Sequence, residues 1–427
     1  MHDIGIIGAG VTGLTAAYDL LCQGQRVTLY EARPYVGGVA AGFKDESWEW
    51  PLERFYHHIF ATDKDIINFV KELGLGDRIF FPRPTTSIYH HGGIYPLDSP
   101  LRVLAFKPLP FVDRVRFGLV AAFVRYNPFW KPFERVTADA WLTKALGKRA
   151  YEILWLPLLE GKFGKYYRDV NMAWFWARLA KRTPKLGTFV GGFQGILDAL
   201  ADKVRAGGGV IYLETPVRGV HPTSAGRIRL ELAAGDVTHD RVLATCSPAT
   251  LRECTPALPA AYAAGLDSLT SMGTVVLVLA LKQRVTAQHY WINIPKREGF
   301  PFLAFVEHTN YVDKEHYGGD TLVYCGDYLS PDHPYFEMSP EDLLETFIPG
   351  IQRLNPAFNR DWVRKYWKFT EVYAQPVPLL NHSRRVPPLQ TPIPNLFMAN
   401  MSQVYPWDRG TNYAVALGRS VAREMGT

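Results

Sequence analysis

Short apolar runs punctuated by glycine set the pattern of this chain. Ile4, Ile6 and Ile7 form one such run, the cluster Gly8-Ala9-Gly10-Val11-Thr12-Gly13 interrupts it, and Leu14, Ala16, Ala17, Leu20 and Leu21 follow at helical spacing. That order predicts a strand, a tight turn and a helix. Beyond Gly24, Arg26-Val27-Thr28-Leu29-Tyr30 reads as a second strand with Glu31 at its end. A second glycine-led block comes later: Gly191-Gly192-Phe193-Gln194-Gly195 precedes Ile196, Leu197, Leu200 and Val204 at helical spacing, then Gly207 to Gly209 and the apolar run Val210 to Leu213. Val242 to Thr245 and Asn395 to Asn400 are short buried strands by the same criterion, and Gly410 to Gly418 opens a last helix. Arg102 to Arg182 is rich in helix formers and bulky apolar residues. Gly273 to Leu281, Phe302 to Glu307 and Thr321 to Asp327 are β-rich runs separated by turn residues, which predicts an antiparallel sheet.

The first glycine cluster carries chemistry. Gly8 permits a tight turn, Gly10 lets backbone approach a pyrophosphate, and Gly13 lets the helix sit close to the sheet. Val11 and Thr12 then present the unpaired amides and positive dipole end of a helix to the phosphates. Glu31, 18 positions beyond Gly13, stands where a carboxylate takes both hydroxyls of an adenosine ribose. Strand, turn, helix and acid agree on a dinucleotide.

The continuation Glu31-Ala32-Arg33-Pro34-Tyr35-Val36-Gly37-Gly38 resembles the flavoprotein superfamily of flavin amine oxidases, protoporphyrinogen oxidase, phytoene-type desaturases and UDP-galactopyranose mutase. In that superfamily the acid and the glycine pair form a second loop on the FAD pyrophosphate. Many members place Arg directly after the pair; Val39 stands there here, so the extra phosphate contact is either absent or supplied by another residue, with Arg33 the candidate. The resemblance extends to Val217, whose counterpart meets the adenine through its backbone. It also covers Asn400 and the segment Gly410-Thr411-Asn412, whose counterparts aim helix amides at the flavin pyrimidine.

The resemblance implies an α/β protein: a Rossmann-like FAD-binding domain of the GxGxxG type, with a substrate domain of antiparallel sheet plus a helical insertion. The FAD-binding domain is expected from residues 1–60, 187–250 and 394–427, the substrate domain from 61–100 and 251–393, and the insertion from 101–186. No C-terminal Cys matches that of covalently flavinylated amine oxidases, so FAD is expected without a covalent bond.

His58, in His58-Ile59-Phe60, resembles the sugar mutase motif whose His lies against the isoalloxazine and is the first candidate to tune the flavin or move a proton, with His57 as the alternative. Adjacent side chains diverge and no third ligand is nearby, so no metal site is expected. Tyr405, Asp408 and Arg409 precede the last helix and are expected at the cavity wall. Arg409 falls where the mutase carries an Arg for the substrate pyrophosphate.

Composition narrows the class. At 427 residues with 47% hydrophobic and 21% charged positions the chain is a folded protein of two or three compact units. A net charge of +6 spread along the sequence is no nucleic-acid footprint, whereas 13% aromatic residues suit a pocket for a flat or apolar small-molecule substrate. Four scattered cysteines and no signal-peptide pattern read as cytoplasmic. The stretch 101–133 interleaves six basic residues with Leu, Phe and Val; it reads either as a helical domain with solvated arginines or as a surface in peripheral contact with an anionic membrane. Three functions are compatible with these features: an oxidoreductase similar to protoporphyrinogen oxidase acting on a cyclic or apolar substrate, a mutase-like isomerase, and a flavin-binding module without catalysis.

Overall fold

Ile4 stands opposite Val27 and Ile6 opposite Leu29 where strand Asp3–Ile7 runs parallel to Arg26–Tyr30. This register belongs to a computed structural model that describes residues 1–426. Helix Val11–Cys22 makes the crossover and buries Leu14, Ala16, Ala17 and Leu20 against the strands. The sheet is entirely parallel, with order Val210–Tyr212, Arg26–Tyr30, Asp3–Ile7, Arg241–Ala244, Leu396–Met398.

A parallel sheet needs cover on both faces. Helices Val11–Cys22, Gly192–Ala206 and Thr411–Gly426 pack around Ile4, Ile6, Leu29 and Leu243 on one side. On the other, Tyr30, Val242, Ala244 and Met398 meet the three-stranded meander Gly219–Pro222, Ile228–Glu231, Val237–His239 and two helices, Pro248–Cys254 and Ala260–Asp267. A β-carbon on Gly418 would lie 2.7 Å from the Thr12 carbonyl oxygen, so helices Val11–Cys22 and Thr411–Gly426 approach backbone to backbone at a point only glycine allows.

The second sheet has seven strands in the order Val363–Pro376, Ser271–Leu281, Thr321–Leu329, Ala304–Glu307, His289–Asn293, Thr85–His90, Gly93–Pro96. It departs from a purely antiparallel sheet at one place, where His289–Asn293 and Thr85–His90 pair in parallel. The two strands come from opposite sides of the helical insertion, so no hairpin dictates their direction.

The insertion comprises helices Pro100–Leu104, Phe111–Tyr126, Ala138–Leu146, Lys148–Leu154, Leu156–Phe163 and Met172–Lys181 around Phe117, Val124, Leu142, Leu146, Trp174 and Phe175. Helix Phe111–Tyr126 buries Phe117 and Val124. Its outer face exposes Val112, Leu119, Phe123 and Tyr126 by 56–78%. The arginines are not simply solvated: Arg116 donates to the Lys144 and Ala145 carbonyls and Arg125 to those of Leu179 and Arg182. Asp63 stands at the N-cap of helix Lys64–Glu72, but its carboxylate accepts from the Phe60 amide at 2.8 Å rather than from the helix, and pins the turn that follows His58.

Candidate active site

A cavity of about 710 Å³ opens between the two sheets and the insertion. At one end, two glycine turns face each other. Gly8 takes φ +100° and its amide donates to the Tyr30 carbonyl; Gly37 and Gly38 take φ +113° and +58°, and the Gly37 amide donates to the Ala9 carbonyl. A side chain is strained at each of these dihedrals. Gly10 precedes helix Val11–Cys22, which has no capping side chain and no acid in its first turn, so its N-terminal amides stay available to an anion. Gly13 lies off the cavity: a β-carbon there would meet the Gly8 carbonyl at 2.1 Å, so its role is close packing of helix on strand.

Glu31 is buried and lines the cavity. Its carboxylate accepts from the Ala9 amide at 2.8 Å and the Arg33 amide at 2.9 Å, tying the first turn to the second loop, and it retains lone pairs for a diol. Ala32, Arg33 and Val217 line the same end. The Arg33 guanidinium is paired with Glu371 at 3.0 Å, so its charge is partly committed before any phosphate arrives.

Gly410, Thr411 and Asn412 bring the N-terminus of helix Thr411–Gly426 to the cavity. The Asn412 side chain points away, accepting from the Ile66 amide and donating to Asp65, so only its backbone serves the cavity. Asn400 likewise spends its side chain on the Ser402 amide and the Cys246 carbonyl.

His57 and His58 both line the cavity. His57 Nδ1–H donates to the Phe55 carbonyl at 2.7 Å, and burial pushes its pKa down to about 4. His58 Nδ1 is buried without a hydrogen-bond partner, and burial, then Arg182, His57 and Arg178, push its pKa down to about 3. Both imidazoles are neutral near pH 7.

Asp408 and Arg409 stand in the wall; Tyr405 does not. Its hydroxyl donates to Glu134 at 3.1 Å and its ring packs edge-on against Trp130, so it braces the insertion instead. Arg409 donates to Gln375 Oε1 at 3.0 Å and to the Tyr328 hydroxyl. Asp408 accepts from Trp174 Nε1 at 3.0 Å and pairs with Arg178 at 3.2 Å. Burial works against its charge, but Lys162, Arg178 and Arg409 hold it below the usual carboxylate range. Lys162, Arg178, Arg182, Gln375 and Tyr328 escape sequence reasoning because the insertion and the second sheet bring them in from elements without a local motif. His90, His91 and Glu298 gather three ligand-type atoms within 4.8 Å of one another, outside the cavity.

The donor set fits FAD. Two glycine turns and a helix N-terminus suit a pyrophosphate, a carboxylate suits a ribose, and a second helix N-terminus suits a ring that gains negative charge on reduction. The family model for flavin containing amine oxidoreductase matches residues 11–426, and the chain belongs to that family. It is an FAD-dependent oxidoreductase of the amine oxidase superfamily. A Synechococcus elongatus protein assigned as a zeta-carotene desaturase is 22% identical over 99% of this chain and 98% of its own. The 15-cis-phytoene desaturase of Narcissus pseudonarcissus is 34% identical over 33% of this chain and 28% of its own length. Among solved structures, an Exiguobacterium sp. 255-15 protein assigned as a protoporphyrinogen oxidase superposes with TM-score 0.80 at 18% identity, covering 99% of this chain and 98% of its own. Reduced UDP-galactopyranose mutase gives 0.76 at 16% identity, over 99% and 93%. These structural likenesses establish the fold.

Proposed function

We propose that the chain oxidises a small, largely apolar or cyclic substrate by hydride transfer to noncovalently held FAD, in the manner of protoporphyrinogen oxidase. The observation that carries this reading is the composition of the wall beyond the glycine turns: Phe55, Tyr56, Phe60, Leu158, Trp291 and Leu303 form an aromatic and aliphatic face in the same cavity as the Gly410–Asn412 amides. Bound FAD supplies the two-electron acceptor. The glycine turns and Glu31 hold its nucleotide half, the Thr411 and Asn412 amides favour charge at the far end, and the apolar wall excludes water from the reacting C–H bond. A neutral His58, with Nδ1 unpartnered, is placed to accept a hydrogen bond or a proton. Cys246 is the cysteine that lines the cavity, and burial pushes its thiol up to about 12, which supports a noncovalent cofactor.

Anaerobic addition of substrate should bleach the oxidised flavin at stoichiometric concentration. Turnover that requires prior reduction of the flavin, without net bleaching, would replace this reading with a mutase-like isomerase.

A peripheral membrane contact belongs to the same proposal. No helix is long and apolar enough to cross a membrane among the described residues. The outward stripe Val112, Leu119, Phe123 and Tyr126, with Phe129 72% exposed nearby and Lys107 and Lys131 at its flanks, suits the surface of an anionic bilayer. Sedimentation with phosphatidylglycerol vesicles, lost in Leu119→Glu/Phe123→Glu and absent with phosphatidylcholine alone, is the expected result; equal recovery of both proteins in the supernatant would refute the contact.

A further inference from the structure

The wall that the helical insertion gives the cavity holds more positive charge than its surroundings neutralise. Lys162 on helix Leu156–Phe163, Arg178 on helix Met172–Lys181 and Arg182 just beyond it all line the cavity, as does Arg409. Asp408 is the carboxylate within reach of this group, 3.2 Å from Arg178 Nη1 and 3.8 Å from Lys162 Nζ. Its oxygens already accept from Trp174 Nε1 and the Arg409 amide. Asp63, also in the wall, spends its carboxylate on the Phe60 amide, and burial pushes its pKa up to about 6.

The donors are only partly spent: Lys162 Nζ donates to Gln375 Oε1 at 2.7 Å, the oxygen that also accepts from Arg409, and Arg178 Nη1 donates to Asp408. Arg178 Nε is buried without a hydrogen-bond partner, and among the described residues the Arg182 guanidinium makes neither a hydrogen bond nor an ion pair within 4 Å. Burial lowers the Arg182 pKa to about 9 and, despite Asp408, carries that of Lys162 well below its ordinary value. Buried cations are costly unless an anion compensates them, and a guanidinium fork matches a carboxylate or phosphate edge in two parallel hydrogen bonds. The cluster is distinct from the pyrophosphate cradle: it sits on the insertion, and its field falls on His58 and Asp408.

We propose that Lys162, Arg178 and Arg182, together with Arg409, form a subsite for an anionic group of the substrate, which is accordingly an amphipathic carboxylate or phosphate with its apolar body against Phe60, Leu158 and Trp291. This rests on the reading of the cavity as the oxidoreductase site and names the substrate class for it.

The test uses the FAD-loaded protein and calorimetric titration at low ionic strength with decanoate, decyl phosphate, decanol and decylamine. One decanoate or decyl phosphate should bind per flavin at least tenfold more tightly than decanol, with decylamine weaker still; the tighter of the two acids identifies the group. Arg182→Gln should weaken acid binding tenfold or more with flavin content unchanged, and Arg182→Lys should recover part of it. Acid and amine binding alike, or Arg182→Gln binding as the parent does, would overturn the subsite. So would loss of FAD from Arg182→Gln, which would assign that residue to the cofactor. Failure of the wider reading has a separate signature: acid binding that survives while no acid bleaches the flavin under anaerobic conditions.

Discussion

Gly10 and Gly38 stand so close that a β-carbon added to Gly38 would lie 3.2 Å from the Gly10 α-carbon. The two glycine turns are thus one unit, joined also by the bridge pairing of Gly10 with Gly37. Gly38→Val adds a branched side chain both to this contact and to a φ of +58°, where a β-branched residue is strained. Retention of FAD through dialysis should fall at least tenfold with the far-ultraviolet circular dichroism unchanged; full retention would show that the second turn is not part of the cradle.

Glu31→Ala removes the acceptor for two backbone amides as well as the proposed ribose contact. A charge-assisted hydrogen bond of roughly 1.5–3 kcal/mol corresponds to a ten- to hundredfold loss of FAD affinity. Flavin fluorescence during equilibrium dialysis reads this directly, and an unchanged dissociation constant in a folded variant would remove Glu31 from the site.

Arg409→Ala should raise KM about tenfold or more, with a smaller effect on kcat and none on flavin content, because Arg409 bonds to Gln375 and Tyr328 rather than to any glycine turn. Loss of flavin with KM intact would reverse the assignment.

His58, with a pKa pushed down to about 3, stays neutral across pH 5–8. The pH profile of kcat/KM should then lack a limb near the ordinary histidine value of about 6.5 that His58→Gln abolishes. His58→Gln should lower the rate of flavin reduction while FAD occupancy stays within twofold; a limb near 6.5 that disappears in the variant would show a titrating imidazole.

Glu53 is buried, accepts from the Phe193 amide at 2.8 Å, and burial pushes its pKa up to about 7. The unfolded chain releases this proton near its ordinary value of 4.5, so between the two values the folded protein binds more protons. Its stabilising contribution is complete below 4.5 and is lost as pH rises through 7. Glu53→Gln keeps an acceptor and has no proton to lose, so it should melt above the parent at pH 8 and no higher at pH 5, a difference of up to about 3 kcal/mol. Parallel pH profiles for the two proteins would exclude this account.

The geometry of the proposed nucleotide half was legible because its sequence pattern is local. Glycines at 8, 10 and 13 and an acid at 31 work within one βαβ unit, and the dihedrals of Gly8, Gly37 and Gly38 are ones that side chains resist. The substrate half was only partly legible. Proximity in sequence placed Tyr405 with Asp408 and Arg409, yet its hydroxyl turns to Glu134. Helix Met172–Lys181 is buried at six consecutive positions, Met172 to Ala177, so periodicity could not say where Arg178 points. The small meander 219–239 was missed because its strands are three or four residues long between polar turns. The parallel pairing of Thr85–His90 with His289–Asn293 depends on long-range packing that no local turn signals.

The proposed cofactor cradle begins at residues 8–13, while the sheet beneath it is completed by strand Leu396–Met398 and the opposing amides come from residues 410–412. A ribosome still short of residue 396 carries a finished glycine turn but half a binding site, with the face of helix Val11–Cys22 that meets Gly418 bare. On that proposal, flavin capture is a late event in the synthesis of this chain. The first βαβ unit, however early it forms, must wait in the open for a partner encoded some four hundred codons downstream.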